Sequence, residues 1–297
     1  MNDFFDQEAP AYFREYNVLP TQITTLKRCV NGNITPRDAA KQLTAYPEAA
    51  PTPLEMQQRL AGLWTLLNDT AVLVPSAQTT ILSILKIIRT LPPVKEPTGE
   101  GEGLMDLDDG DIWCQLSGWG SDLADSLNSW AVRVDREKSP AYRAKYDRVT
   151  RKAHWISASA YVGRLASTGD ELLTGVGGFL RFMSFIIVRA LENELNETDP
   201  DSNVGGKLEP PDLEAMAQLF VHAAPELYRL CKDRHISQLV RLSKGKLWHG
   251  EGNCDYSLER WAFWRERWIA LANTESLSGN ARQAAREATE AMEKAKT

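Results

Sequence analysis

The chain has 297 residues, of which 43% are hydrophobic, and 34 basic against 40 acidic side chains give a formal charge of −6. That is enough chain and apolar surface for a sizeable core. The acidic balance argues against a broad nucleic-acid-binding face, which needs clustered positive charge.

The compositional anomaly is tryptophan, with nine residues. The first residues, MNDFFDQEAPAYFREYN, contain neither a basic leader nor an apolar run, so they do not read as a secretory signal. The most apolar stretch, Val176 to Leu191, is interrupted by Arg181 and Arg189. It falls short of the about 18 uncharged apolar residues of a membrane span, and reads as a buried helix. Cys29, Cys114, Cys231 and Cys254 show no zinc spacing and, without an export signal, read as reduced thiols. The expected compartment is the cytoplasm, with the nucleus as the alternative.

Along the chain, apolar residues recur with a period near 3.6, and no convincing alternation of period 2 occurs. Thr35-Pro36-Arg37-Asp38 is a helix start: a hydroxyl cap, proline in the first turn, and an acid near the positive end of the dipole. Leu60, Leu63, Trp64, Leu67, Ala71 and Val74 form one helical stripe, broken at Pro75-Ser76. The next helix carries Ile81, Leu82, Ile84, Leu85, Ile87 and Ile88, and ends before Pro92, because a residue preceding proline is pushed out of helical geometry. Residues 94–111 hold seven carboxylates and one lysine and read as a mobile linker. The DLDDGD run within it fails as a calcium loop, since Gly110 and Ser117 stand at positions five and twelve.

Leu116, Trp119, Leu123, Leu127, Trp130 and Val134 predict one amphipathic helix. A long helix is predicted from Ser139-Pro140, with a face of Tyr142, Tyr146, Val149, Ala153, Ile156 and Ala160. Asp170 is expected to open the most apolar helix, around Phe179, Phe182, Met183, Ile186 and Ile187, which reads as central. Residues 196–211 are the second expected mobile linker. Asp212 is expected to cap a helix that contains Pro225, and a short helix is predicted around Ile236 to Leu242. Ser257 caps a helix bearing Trp261, Trp264, Trp268 and Leu271, and an alanine-striped helix runs from Ala281 to Ala295. The fold class is therefore all-α: one helical domain over 1–297, a compact bundle of about nine to eleven helices with no significant β-sheet.

The most distinctive string is Leu247-Trp248-His249-Gly250, then Tyr256-Ser257-Leu258-Glu259-Arg260-Trp261-Ala262-Phe263-Trp264-Arg265. It resembles the C-terminal block of the fungal proteins known as domain of unknown function 3632. Leu63-Trp64, Ala71, Pro75 and Ile88-Arg89-Thr90-Leu91-Pro92 resemble the family's first block, and Trp113-Cys114-Gln115-Leu116 with Leu123 its second. The family often has proline where this chain has Ser117. The resemblance spans about 54–292. It implies a helical intracellular protein of filamentous fungi, some relatives lying near specialised-metabolite genes, and it supplies no catalytic residue to carry over.

His249, Glu251, Cys254 and Asp255 are ligand types in one loop, yet no second ligand pair accompanies them, so no metal is expected. The bland reading is a glycine-rich turn that docks Trp248. The sharper reading is a ligand-binding site built from Trp248, His249, Arg260, Trp261 and Trp264, with Arg260 meeting an anion and the indoles walling a pocket. Core packing is the competing role for the Trp261, Trp264, Trp268 stripe. Thr174-Gly175-Val176-Gly177-Gly178 lacks the strand and spacing of a nucleotide loop, no GxSxG occurs, and no cofactor is expected. His154 and His222 fall within amphipathic helices and read as structural. The basic residues between Arg133 and Lys152 read as the solvated face of a long helix, or as a receiver for the acidic linker.

These features favour a non-catalytic binding or interaction module, with a protein or a small apolar ligand as partner and neither nucleic acid nor membrane. The alternative is a cofactor-independent enzyme of lyase or isomerase type, acting on a small apolar substrate in a tryptophan-lined cavity.

Overall fold

Proline opens four of the helices: α1 (Pro20–Val30), α2 (Pro36–Glu48), α3 (Pro53–Leu73) and, far along the chain, α8 (Pro211–Lys232). A first-turn residue has no intrahelical partner for its N–H, so proline loses nothing there and brings a helical φ. In a computed structural model the described residues are 4–103, 112–130, 147–175, 179–195, 203–204, 207–208, 210–235, 242–250 and 255–296. The remaining long helices are α4 (Gln78–Ile88), α5 (Trp119–Trp130), α6 (Arg148–Ala166), α7 (Phe179–Leu191), α9 (Leu258–Ala272) and α10 (Gly279–Lys294). Among the described residues the only β-ladder is a two-residue antiparallel one, Asn203–Val204 with Lys207–Leu208, and Leu277 is a single bridge residue. The fold is all-α, and the ten long helices among the described residues fall within the expected number.

The chain divides into two compact units, 1–127 and 128–297. In the first unit, Thr35 and Thr52 cap α2 and α3 by accepting from the amides of Asp38 and Glu55. The expected α3 stripe, Leu60, Leu63, Trp64, Leu67, Ala71 and Val74, is buried. A 3-10 turn at Pro75–Ala77 then redirects the chain into α4. Gly62 lets the segment before α1 cross α3, because a Cβ there would sit 2.3 Å from the Tyr16 carbonyl oxygen. The first part of the acidic linker is fastened: the Leu54 amide donates to the Glu100 carbonyl at 3.2 Å. Residues 104–111 lie outside the described residues.

One expectation in this unit fails at its start. Leu116 is buried but not helical; it takes φ +47° in the turn before α5, which begins at Trp119. The turn exists because its carbonyls are claimed from elsewhere. Trp64 Nε1 donates to Ser117 O at 2.7 Å, and Arg89 Nε donates to Cys114 O at 2.9 Å.

In the second unit, Asp147 caps α6 through the Thr150 amide at 2.8 Å, and residues 131–146 are outside the described set. The buried face of α6 is rotated from the predicted one. Val149 is 76% exposed and Ala153 is exposed, whereas Trp155, Ala158, Tyr161, Val162 and Leu165 are buried. Trp155 sets the rotation, since its indole is buried and its N–H donates to Asp212 Oδ1 at 3.1 Å. Asp212 is therefore not the cap of α8. It stands in the first turn and also takes Arg189 Nε at 2.5 Å.

Asp170 caps only a short turn, Glu171–Thr174, by accepting from the amides of Leu172 and Leu173. Gly175, in the left-handed region at φ +59°, ends that turn, so α7 is a separate helix. α8 runs through Pro225. It crosses α6 closely at Gly163, where a Cβ would meet His222 Cβ at 2.8 Å and Leu219 O at 3.2 Å. Ser257 and Ser278 cap α9 and α10, and Ala281, Ala284, Ala285, Ala288 and Met292 bury the inner stripe of α10. The short helix expected near Ile236 falls on residues 236–241, outside the described set.

No single helix among the described residues is long and apolar enough to cross a membrane.

Candidate functional site

The chemistry of the second unit gathers at the C-terminal end of α7. Leu191 is the last helical residue, and Glu192, which follows it, is fully buried. A buried carboxylate is tolerated only when paired and hydrogen-bonded, and α9 supplies both requirements. Arg260 Nε donates to Glu192 Oε1 at 2.6 Å, and Arg260 Nη2 to Oε2 at 2.8 Å, a fork of two parallel bonds. Trp264, one turn further along α9, donates Nε1 to the same Oε1 at 2.7 Å. The Gly245 amide completes the set on Oε2 at 3.0 Å.

Arg260 is equally occupied. Nη1 donates to Asp255 O at 2.9 Å and Nη2 also reaches Ser243 O at 2.8 Å. The anion that Arg260 meets is thus a carboxylate of its own chain. Asp255, itself buried, accepts the Leu242 amide on Oδ1 at 2.7 Å. The loop 242–250 is held down by these residues together with Asn193, whose Oδ1 takes the Lys246 amide at 3.3 Å, and by the Glu192 carbonyl, which takes the Leu247 amide at 2.9 Å.

Of the expected ligand-contacting residues, Arg260, Trp261 and Trp264 are buried on α9, Trp248 is half-buried in the loop, and His249 is exposed. Arg260 and Trp264 share Glu192. Trp248 instead packs on Phe263, with ring centroids 5.2 Å apart. Trp261 lies against Tyr228 and Phe220, at 5.3 and 6.1 Å. Phe220 also takes the edges of Trp264 and Trp268 at 6.0 and 5.7 Å, so the whole indole stripe packs around one α8 ring. Among the described residues the N–H groups of Trp261 and Trp268 are buried without an acceptor.

Burial favours the neutral forms of two groups beside this cluster, Tyr256 and Cys231. Ser184 and Tyr256 share a buried hydrogen bond between their hydroxyls, and burial pushes the Tyr256 phenol up to about 12. Burial likewise raises the Cys231 thiol to about 12. Where α8 crosses α6, burial, with Arg164 adding repulsion, lowers His222 to about 4. Of the loop's metal-ligand types, Glu251 and Cys254 lie outside the described residues, and Asp255 is committed to the Leu242 amide.

The first unit carries a smaller polar centre. Asp122 on α5 accepts from Thr65 Oγ1 at 2.9 Å and from Asn68 Nδ2 at 2.8 Å, while Asn68 Oδ1 accepts Trp119 Nε1 at 3.0 Å. Burial raises the Asp122 carboxyl, and the two hydrogen bonds pull against that shift.

The distinctive residues of all three sequence blocks are therefore bonded to one another or to the turns between helices. Trp64 and Arg89 of the first block hold the backbone of the second, and Arg260 and Trp264 of the third hold Glu192. The model of the family described as protein of unknown function (DUF3632) matches residues 64–268. The chain belongs to this family. No curated protein and no solved structure matches it. The matched segment begins at Trp64 and ends at Trp268, so it contains both the turn fastened by Trp64 and the Glu192 cluster. Ser117 donates its amide to Ile112 O at 3.0 Å, a bond that proline has no N–H to make.

Glu192 and Asp122 carry these centres, and sequence reasoning passed over both. The signal for Glu192 was its place: an acid that directly continues the most apolar helix needs a buried cation, and Arg260 on a tryptophan-rich face was the available one.

Proposed function

We propose that the chain is a non-catalytic binding or interaction module of the cytoplasm. The observation that carries this reading is how its most deeply buried charges are spent. Of the six hydrogen bonds made by the Glu192 carboxylate and the Arg260 guanidinium, three go to polypeptide main chain, at the Gly245 amide and the Ser243 and Asp255 carbonyls, and three join α9 to the end of α7 through the two groups themselves and Trp264. That is a scheme for holding a segment of chain in a defined shape. Proton transfer near neutral pH calls for groups that titrate there, whereas Tyr256, Cys231 and His222 are all displaced away from that range. The partner in this reading is a protein.

A second reading, an enzyme for a small apolar substrate, is favoured by one observation: the buried N–H groups of Trp261 and Trp268 lack acceptors among the described residues, and a substrate carbonyl would supply one.

One experiment separates the two. The purified chain is incubated with cell extract at a small fraction of the metabolite concentration, and small molecules and retained proteins are both followed by mass spectrometry. The module reading expects stoichiometric retention of a protein and no metabolite converted. Catalytic loss of one metabolite with growth of a product would overturn it.

A further inference from the structure

A serine or threonine directly followed by proline occurs at three places: Thr35-Pro36, Thr52-Pro53 and Ser139-Pro140. Such a pair has a fixed local shape, because the proline ring pushes the residue before it into extended backbone. It is also the pair that proline-directed protein kinases read. Ser139 lies outside the described residues, and the structure separates the other two.

Thr35 stands at the tip of the α1–α2 hairpin. Its backbone is extended, at φ −74° and ψ 154°. It is exposed, as are Asn31, Gly32 and Asn33 before it and Arg37 and Asp38 after it. Gly32 holds φ +75°, and nothing lies within 4 Å of the place its Cβ would take. The Thr35 hydroxyl is held only locally: it accepts the Asp38 amide at 3.1 Å and donates to Asp38 Oδ2 at 2.7 Å. These bonds, and the one from the Ala39 amide to the Thr35 carbonyl, all belong to the first turn of α2. A helix end frays at small cost. Further along α2 the hairpin stays fastened, since Gln22 Nε2 donates to Leu43 O at 3.0 Å and Thr25 Oγ1 to Gln42 Oε1 at 3.1 Å.

Thr52 has the same sequence signature and also caps its helix, but it is covered. It is half-buried, Pro53 is buried, and a Cβ on Gly99 would lie 3.9 Å from Thr52 Cγ2. The Leu54 amide is bonded to Glu100 O in the same strap. Extending the chain around Thr52 therefore means detaching residues 99–100 as well as fraying α3.

We propose that Thr35 is a phosphorylation site for a proline-directed kinase. The γ-phosphoryl group of ATP passes to Oγ1: the Oγ1–P bond forms, the bond to the β-phosphate breaks, the hydroxyl proton leaves to the kinase's base, and ADP is released. The mark places about −1.5 to −2 charges at the N-terminus of α2. It also removes the proton that Thr35 gives to Asp38, so that this carboxylate becomes a like-charged neighbour. Arg37, two residues on, and Arg28, whose carbonyl takes the Asn33 amide at 2.8 Å, are exposed and hold no ion pair among the described residues. Both are available as counter-charges. The proposal goes beyond the interaction-module reading and does not depend on it.

The test uses the full chain as S139A, which leaves two such pairs, with ATP and a purified kinase of the mitogen-activated class. Sites and initial rates are read by peptide mapping with mass spectrometry. Free peptides of residues 28–42 and 45–59 report each site without the fold, and circular dichroism shows that the full chain stays folded. In the folded chain Thr35 is expected to react within about tenfold of its peptide's rate, and Thr52 at least about a hundredfold more slowly than its own. T35A should abolish the signal. A kinase that accepts the 28–42 peptide but refuses Thr35 in the folded chain overturns the proposal. So does refusal of that peptide, or a folded chain in which Thr52 reacts as fast as Thr35. The same mapping of the chain purified from the cells that make it, with phosphatases inhibited, is expected to find phosphate on Thr35. Its absence there overturns the assignment even if the purified kinase accepts the site.

Discussion

The indole N–H of Trp64 donates to the carbonyl of Ser117 at 2.7 Å, across 53 residues of sequence. That bond joins the middle of α3 to the turn that launches α5, and Trp64 meets Trp113 edge-on at 6.3 Å beside it. Replacing Trp64 with phenylalanine keeps an aromatic ring but leaves the Ser117 carbonyl without this donor. The expected cost is about 1–3 kcal/mol, the range for an orphaned buried polar group. Chemical denaturation followed by helical circular dichroism measures it, and an unchanged midpoint would remove Trp64 from this role.

Asp122 yields a contrast between two substitutions. In D122N the amide oxygen still accepts from Asn68 and the amide nitrogen donates to Thr65, whose hydroxyl works in both directions. D122N is therefore expected to change the stability of the first unit by no more than about 1 kcal/mol, with D122L losing about 1–3 kcal/mol because both donors lose their acceptor. Equal losses for the two would show that the site depends on the charge.

His222 predicts a pH dependence with a definite sign. Its folded-state pKa, lowered to about 4 first by burial and then by Arg164, lies below the ordinary 6.5. Above pH 6.5 both states are neutral and the residue costs nothing. As the pH falls from 6.5 towards 4 the unfolded chain takes up a proton that the folded chain refuses, so stability is lost on acidification, by an amount on the order of 2 kcal/mol. H222Q should flatten that part of the profile. The profile of the second unit's unfolding, measured for native and variant chains, checks the difference. Identical slopes would mean that His222 is not held neutral.

How far this was legible in sequence depends on whether a feature was local. Caps and period-3.6 stripes are local: Thr35 and Ser257 cap their helices, and the stripes ending at Val74 and Leu271 are buried as expected. Where partners came from afar, local pattern misled. Leu116 fits the α5 spacing, yet Trp64 and Arg89 hold its neighbours in a turn. The α6 stripe counted from the tyrosines left out Trp155, whose place is fixed by Asp212, 57 residues later. In the candidate site, Arg260 and the tryptophans stood out by type and spacing, but Glu192, the common partner of Arg260 and Trp264, did not. A lone glutamate after an apolar helix looks like a solvated cap until the helix that buries it is in place.

The central claim is that the most distinctive residues of the third block act by holding structure, through the fork between Arg260 and Glu192. A double-mutant cycle of E192L, R260M and the double variant, read by denaturation of the second unit, tests it most directly. Each single change leaves one buried charge unpaired and should cost about 3–5 kcal/mol, while the double variant recovers a large part of that loss. Single variants as stable as the native chain, with additive effects in the double, would contradict the account.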